Sequence, residues 1–311
     1  MQVEGKVIVC DAIDEIGITI LKKAGLVVDY KPEIEPDDLL TIVGESNVII
    51  VRSRTKITKK VIDAAAPNVK IIARVGVGLD NIDTEYAESK GIKVLNAAEA
   101  AMNAVSELVI GHMIALSRSI PKADDGLKKG KWLKKDLVGG ELRGKYLGII
   151  GVGNIGRNVG RIAKCLRMNL IGYDIFPINQ DYVREVSMIK TDLKTLLENS
   201  DFVTCHVPLT EKTKHLINSE TLSYMKPTSF LINTSRGEII DEKSLFTALT
   251  EKRIAGAALD VFEVEPPTNT ELLNLPNMIC SPHIAAQTKE AQELASTVIA
   301  EKVIQTLLTN R

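Results

Sequence analysis

The sequence predicts an α/β protein built on two doubly wound parallel sheets. Three observations predict it. Short runs rich in Val and Ile alternate with helix-like stretches along nearly the whole chain. Those runs are apolar on consecutive residues, which suits strands covered on both faces. One of them, "YLGIIG" (Tyr146–Gly151), leads into Gly151-x-Gly153-x-x-Gly156, and a helix-like run follows.

The totals fit this class. At 311 residues the chain is long enough for two domains. It has 39 Lys+Arg against 40 Asp+Glu, a net charge of −1, so no basic excess points to nucleic acid or an anionic membrane. No apolar run approaches the ~20 residues of a membrane span, and the N-terminus lacks the pattern of a signal peptide. Cys10, Cys165, Cys205 and Cys280 form no C-x-x-C pair. They are expected as buried, inert thiols with no disulfide or metal role, in a reduced, cytoplasmic setting.

"KVIVC" (Lys6–Cys10) reads as a strand, and Ile13–Ala24 as a helix ended by Gly25. "LVVDY", "NVIIVRS", "VKIIARV" and "IKVLN" follow as strands, separated by helices near Asp37–Val43, Lys59–Ala66 and Thr84–Ser89. A longer helix is expected from about Glu99 to Arg118, stopped by Pro121. "KKGKWLKKD" (Lys128–Asp136) reads as a solvated helix end and loop. Strands resume at "YLGIIG", "NLIGYD", "DFVTCHV", "SFLINTS", "IAGAALDVF" and "NMICSP". The last helix, Thr288–Leu308, has no strand after it and must pack on something already built. The expected domains are therefore 1–97 plus 288–311, and 98–287.

The glycine pattern has the context that gives it meaning: a strand before it, a helix after it, and an acid at the end of the next strand, Asp174, near the ~20-residue spacing of a dinucleotide site. Gly151 permits a tight turn, Gly153 lets the backbone approach a pyrophosphate, and Gly156 lets helix and strand pack closely. Asp174 would accept from ribose hydroxyls. Ile175 follows it, not an Arg, which favours NAD over NADP.

Three later segments end successive strands: "LINTSRGEIID", "ALDVFEVEPP" and "SPHIAAQT". Strand C-termini of an open parallel sheet face its ligand crevice, so Asn233, Thr234, Arg236, Asp260, Glu265 and His283 can point at a nicotinamide. Arg236 offers a fork for a carboxylate. His283 can move a proton near neutral pH, and Glu265 can orient it. These are the parts of a 2-hydroxy acid dehydrogenase. His112, His206 and His215 lack such company and read as structural.

Together with "ARVGVGLDNID" (Ala73–Asp83), "GGELRGKYLGIIGVGNIGR", "HVPLTEKTKHLI" and "NTSRGEIIDEKSL", these segments resemble the D-isomer-specific 2-hydroxyacid dehydrogenases over nearly the whole chain. The resemblance implies a substrate-binding domain at 1–97 plus 288–311 and a Rossmann-type NAD-binding domain at 98–287. It implies catalytic roles for Arg236, Glu265 and His283. It implies NAD contacts at Asn154, Ile155, Asp174, Val207, Thr234, Ser235, Arg236, Asp260 and the loop of His283, Ala285 and Ala286. Substrate contacts are implied at Arg52, Arg74, Val75 and Gly76, and a homodimer is implied as well. "VRSRTKIT" (Val51–Thr58) and "ARVGVGLDNID" resemble the branch that handles a phosphorylated acid. Glyoxylate or hydroxypyruvate reductases and D-lactate dehydrogenases share the chemistry, and an NAD-sensing corepressor could keep the same residues. The long members of the phosphate branch carry a C-terminal domain that senses serine; such feedback is not expected here. The loop "NAAEAAMNAVSE" (Asn96–Glu107) has Ala and Met at several positions that are polar in many of those members.

Overall fold

In a computed structural model, residues 3–268 and 270–309 are described. Met1, Gln2, Asn310 and Arg311, the expected ends of the discontinuous domain, lie outside them. The chain divides into two compact units, Met1–Met102 with Ala286–Arg311, and Asn103–Ala285.

The first unit holds five strands: β1 (Lys6–Val9), β2 (Val27–Tyr30), β3 (Val48–Val51), β4 (Ile71–Arg74) and β5 (Lys93–Asn96). All pair in parallel in the order β2-β1-β3-β4-β5. Every residue of β3 is buried, as its unbroken "VIIV" requires. The order reverses between β1 and β3, the kind of switch point at which open parallel sheets bind ligands. The helix Lys289–Thr309 packs on the helix Glu15–Lys23. A side chain on Gly17 would press on the Ser296 carbonyl, and the Asp14 N–H donates to Ser296 Oγ at 3.1 Å.

The second unit holds β6 (Tyr146–Ile150), β7 (Asn169–Tyr173), β8 (Ile189–Lys190), β9 (Phe202–Cys205), β10 (Phe230–Asn233), β11 (Gly256–Leu259) and β12 (Met278–Cys280). The order is β12-β11-β10-β9-β6-β7-β8, again all parallel. Apolar cores form on both faces. Val203, Leu231, Leu245 and Leu259 belong to one, and Met113, Leu147, Val159 and Ile232 to the other. The reversal falls between β6 and β9.

Some elements differ from expectation. The long helix runs Met102–Arg118, and Pro121 does not stop it. Ser119 breaks it by taking φ 50°, and a second helix, Ile120–Lys128, begins there with Pro121 in its first turn. A proline has no N–H to lose in that position and its φ already suits the helix. "IAGAALDVF" forms a strand only over Gly256–Leu259, because Asp260 onward turns to support another loop. The short edge strand β8 has only two residues and left no apolar run to read. Cys10 and Cys205 are buried and burial pushes their thiols up to about 12. Cys165 and Cys280 are exposed, against expectation: one closes a helix and the other ends the edge strand β12. Among the described residues, no helix is long and apolar enough to cross a membrane.

Candidate active site

At the C-terminal end of β6 the chain turns through Gly151, whose φ is +91°. A Cβ there would press on the carbonyl of His206 and the side chain of Val207, which follow β9. One at Gly156 would strike the Gly151 carbonyl. A Cβ on Gly153, by contrast, meets nothing within 4 Å. Gly153 is the N-cap of the helix Asn154–Cys165 and supplies no side-chain cap. The first N–H groups of that helix, and its positive dipole end, therefore face an open approach. Asp174 directly follows β7 beside this loop. Its carboxylate accepts from the N–H of Val152 at 2.7 Å and of Phe176 at 2.9 Å. Thr234, past β10, buries a hydroxyl with no partner. An open helix start, an anchored acid and an orphaned hydroxyl fit a dinucleotide.

His283 sits after β12 with φ 52°, a left-handed conformation uncommon outside glycine. Asp260 enforces it. Asp260 is fully buried, and its carbonyl accepts the His283 N–H at 2.8 Å. One carboxylate oxygen accepts from Ser281 Oγ at 2.6 Å and the Ile284 N–H at 2.9 Å; the other accepts from the Ala285 N–H at 2.8 Å. Asp260, expected to face the cofactor, thus carries the loop that holds His283. The His283 ring places Nδ1 2.7 Å from Glu265 Oε2, and the Phe262 N–H donates to Glu265 Oε1 at 3.2 Å. Both side chains remain solvent-accessible, 52% and 38%. With Nδ1 protonated toward the carboxylate, Nε2 keeps its lone pair for a reacting group.

Arg236 follows β10. Asn233 shapes this turn: its amide donates to the Arg236 carbonyl at 2.8 Å and its oxygen accepts from Ser235 Oγ at 2.7 Å. Arg236 Nη1 donates to the Ser235 carbonyl at 2.6 Å. In the first unit Arg52 follows β3, and its Nη2 donates to Gln287 Oε1 at 2.8 Å. Arg74, expected beside it as a substrate contact, ends β4 and turns onto the backbone. Its Nε donates to the Arg52 carbonyl at 2.9 Å and Nη1 to the Gly78 carbonyl at 2.5 Å.

Some supporting groups escaped the sequence reading. His112, read as structural, lies 3.3 Å from Ser281 Oγ and so joins the Asp260 network behind His283. Asp11 fastens the Arg52 loop. Arg157, directly after the third glycine, folds over the glycine loop: Nη2 donates to Asn154 Oδ1 at 2.8 Å and Nε to the Gly153 carbonyl at 3.2 Å. Its position in "GNIGR" was the available signal. Among the described residues, no group of three or more His, Cys, Asp or Glu could hold a metal ion.

A parallel sheet with an open glycine-loop helix at its switch point, and a His–Glu pair on the same edge, has the form of a dinucleotide-binding domain that carries a candidate acid–base pair. Residues 110–285 match the family described as "D-isomer specific 2-hydroxyacid dehydrogenase, NAD binding domain". The chain belongs to this family, and its second unit is an NAD-binding domain. It is 44% identical over 299 residues to D-3-phosphoglycerate dehydrogenase of Methanocaldococcus jannaschii, covering 96% of this chain and 56% of that one. It is also 44% identical to hydroxypyruvate reductase of Thermotoga maritima, covering 97% and 98% of the two chains. The chain thus spans about half the length of the phosphoglycerate dehydrogenases it matches; for the Synechocystis enzyme the share is 54%. Among solved structures, a glyoxylate reductase from Paecilomyes thermophila superposes with a TM-score of 0.91 at 27% identity, covering 99% and 97% of the two chains.

His206, at the β9 edge of the glycine loop, yields a pH prediction. Although the residue is partly exposed, its Nδ1 is shut from solvent with no partner; Nε2 meets Thr204 Oγ1 at 3.0 Å. Burial drives the imidazole from 6.5 down to about 3. The unfolded chain therefore binds a proton there that the folded chain refuses. This contribution is fully present above pH 6.5 and is lost as pH falls toward about 3. Between pH 7 and 5 the loss is at most about 2 kcal/mol. Urea midpoints at the two pH values should differ less in His206→Gln than in the parent; an equal difference contradicts the assignment.

Proposed function

We propose that the chain is an NAD-dependent D-3-phosphoglycerate dehydrogenase, oxidising 3-phosphoglycerate to 3-phosphohydroxypyruvate for serine biosynthesis. The observation that carries the chemistry is the 2.7 Å contact of His283 with Glu265, on the sheet edge where the glycine loop opens. The glycine loop Gly151–Gly156, with Asn154, Ile155 and Arg157, would hold the pyrophosphate, and Asp174 the ribose hydroxyls. Val207, Thr234, Ser235 and the Ala285–Ala286 backbone would border the nicotinamide. Once bound, NAD supplies the hydride acceptor for the hydroxyl carbon.

The chain's own residues do the rest. Arg236 holds the substrate carboxylate and the oxygen that becomes a carbonyl. His283 Nε2 takes the hydroxyl proton, and the resulting imidazolium shares its Nδ1 proton with Glu265. That carboxylate keeps the tautomer and offsets the charge, as orienting acids do for a general base. The Arg52 guanidinium, backed by the neutral Gln287 amide, takes a second anionic group. His283→Ala should lower kcat about 10²–10⁴-fold while NADH binding, read by fluorescence, stays near normal. Near-parental kcat would reject the role.

Hydroxypyruvate reductase is the second reading. The relative of that name matches this chain end to end, and Arg74 spends donors on backbone carbonyls. NADH oxidation with 3-phosphohydroxypyruvate and hydroxypyruvate separates the two. The phosphate reading expects the phosphorylated acid to be preferred, and Arg52→Ala to raise its KM roughly 10–100-fold. Equal kcat/KM for the two acids supports the reductase.

Asp174, followed by an exposed Ile175, favours NAD over NADP. A cytoplasmic homodimer completes the proposal. In the second unit, Ile120, Leu127, Trp132 and Val138 are exposed, Trp132 at 79%. An apolar series of this kind is what a subunit interface covers. Light scattering at micromolar concentration should give twice the chain mass, and a monomer would reject the interface.

A further inference from the structure

The Asp11 carboxylate lies just past the C-terminal end of β1, at the reversal of strand order between β1 and β3. It is 3% exposed, a costly place for a charge unless donors surround it. They do. The Arg52 N–H donates at 2.5 Å, the Thr55 N–H at 3.1 Å and the Thr55 hydroxyl at 2.6 Å. The opposite side of the same loop is held as well. The Asn81 amide donates to the carbonyls of Arg52 and Thr55 at 3.2 and 2.7 Å, and Arg74 Nε to that of Arg52. Both backbone edges of the loop are therefore fastened, one by an acid and the other by donors.

The two arginines of "RSR" divide the work. Arg54 Nε lies 3.5 Å from Asp11 Oδ1, and its Nη2 donates to the carbonyls of Cys10, Pro32 and Ile34. Arg54 thus answers the buried charge. Arg52 meets Asp11 only through its backbone, and its guanidinium is steadied by a neutral amide. The cation of Arg52 is thereby kept from the nearby acid while its Cα is fixed.

We propose that Asp11 is a positioning residue for substrate specificity: by binding the Arg52 and Thr55 backbone at the β1/β3 switch point, it aims the Arg52 guanidinium at the distal anionic group of the substrate. This rests on the reading of Arg52 as a substrate-binding residue. Asp11→Asn keeps the shape but turns an amide N–H₂ toward donors, so the loop should shift.

The test is a double-variant cycle on the full chain with 3-phosphohydroxypyruvate, the acid that carries a distal anionic group; a parent that does not turn it over fails the reading of Arg52 and the proposal with it. Asp11→Asn should raise KM about 10-fold, with kcat changed less and NADH affinity unchanged. In an Arg52→Ala background the same substitution should leave KM nearly unchanged. If Asp11→Asn folds poorly, Thr55→Val and Thr55→Ser serve. Loss of the 2.6 Å hydroxyl bond should raise KM about threefold, and Thr55→Ser should restore it. The proposal is overturned if Arg52→Ala raises KM but Asp11→Asn and Thr55→Val do not, or if the effects simply add. If Arg52→Ala itself leaves KM unchanged, the reading of Arg52 fails and the proposal with it.

Discussion

All pairing within the two sheets is parallel, and the rest of the architecture follows from that constraint. Parallel strands end on one edge, so residues distant in sequence meet there without long insertions. Gly151 follows β6, Val207 follows β9, Arg236 follows β10 and His283 follows β12. The strand interiors then have little to do but stay apolar. The chemistry concentrates in the few residues after each strand. The first unit repeats the arrangement, with Asp11 after β1, Arg52 after β3 and Arg74 at the end of β4.

Two buried carboxylates, Asp260 and Asp11, each hold a loop, and they use the same physics. Asp260 binds Ser281, Ile284 and Ala285 and so holds His283 in a backbone conformation it would not choose alone. Asp11 binds Arg52 and Thr55. In each case a buried charge is stabilised by N–H and hydroxyl donors from a loop, and the loop loses freedom in return. Oriented groups of this kind lower the reorganisation needed when a substrate arrives. Beside Asp260 the His283 ring stays about half exposed, 52%.

Much of this was legible in the sequence. Unbroken Val/Ile runs marked buried parallel strands, and the glycine spacing with Asp174 marked the dinucleotide loop. Strand-end motifs singled out Arg236, Glu265 and His283 as candidates, and the structure brings two of them, His283 and Glu265, into contact. The rest was hidden for a physical reason. Asp11 reaches Arg52 across 41 residues, and nothing local in "CDAID" announces a partner that far away. Pro121 looked like a stop, yet a proline is equally at home in the first turn of a new helix, and here it sits in one. The direction of Arg74 depended on where the Arg52 carbonyl would lie, which is a tertiary fact.

The central claim is that Glu265 fixes His283 as the tautomer with its proton on Nδ1 and a free lone pair on Nε2. Nitrogen-15 NMR of histidine-labelled protein measures this directly. The chain has four histidines, and the His283→Ala spectrum assigns the resonance. The account predicts, for the neutral ring with NADH bound, a protonated Nδ1 and an unprotonated Nε2. A neutral ring carrying its proton on Nε2 would contradict it, since Nδ1 would then face the carboxylate with nothing to donate.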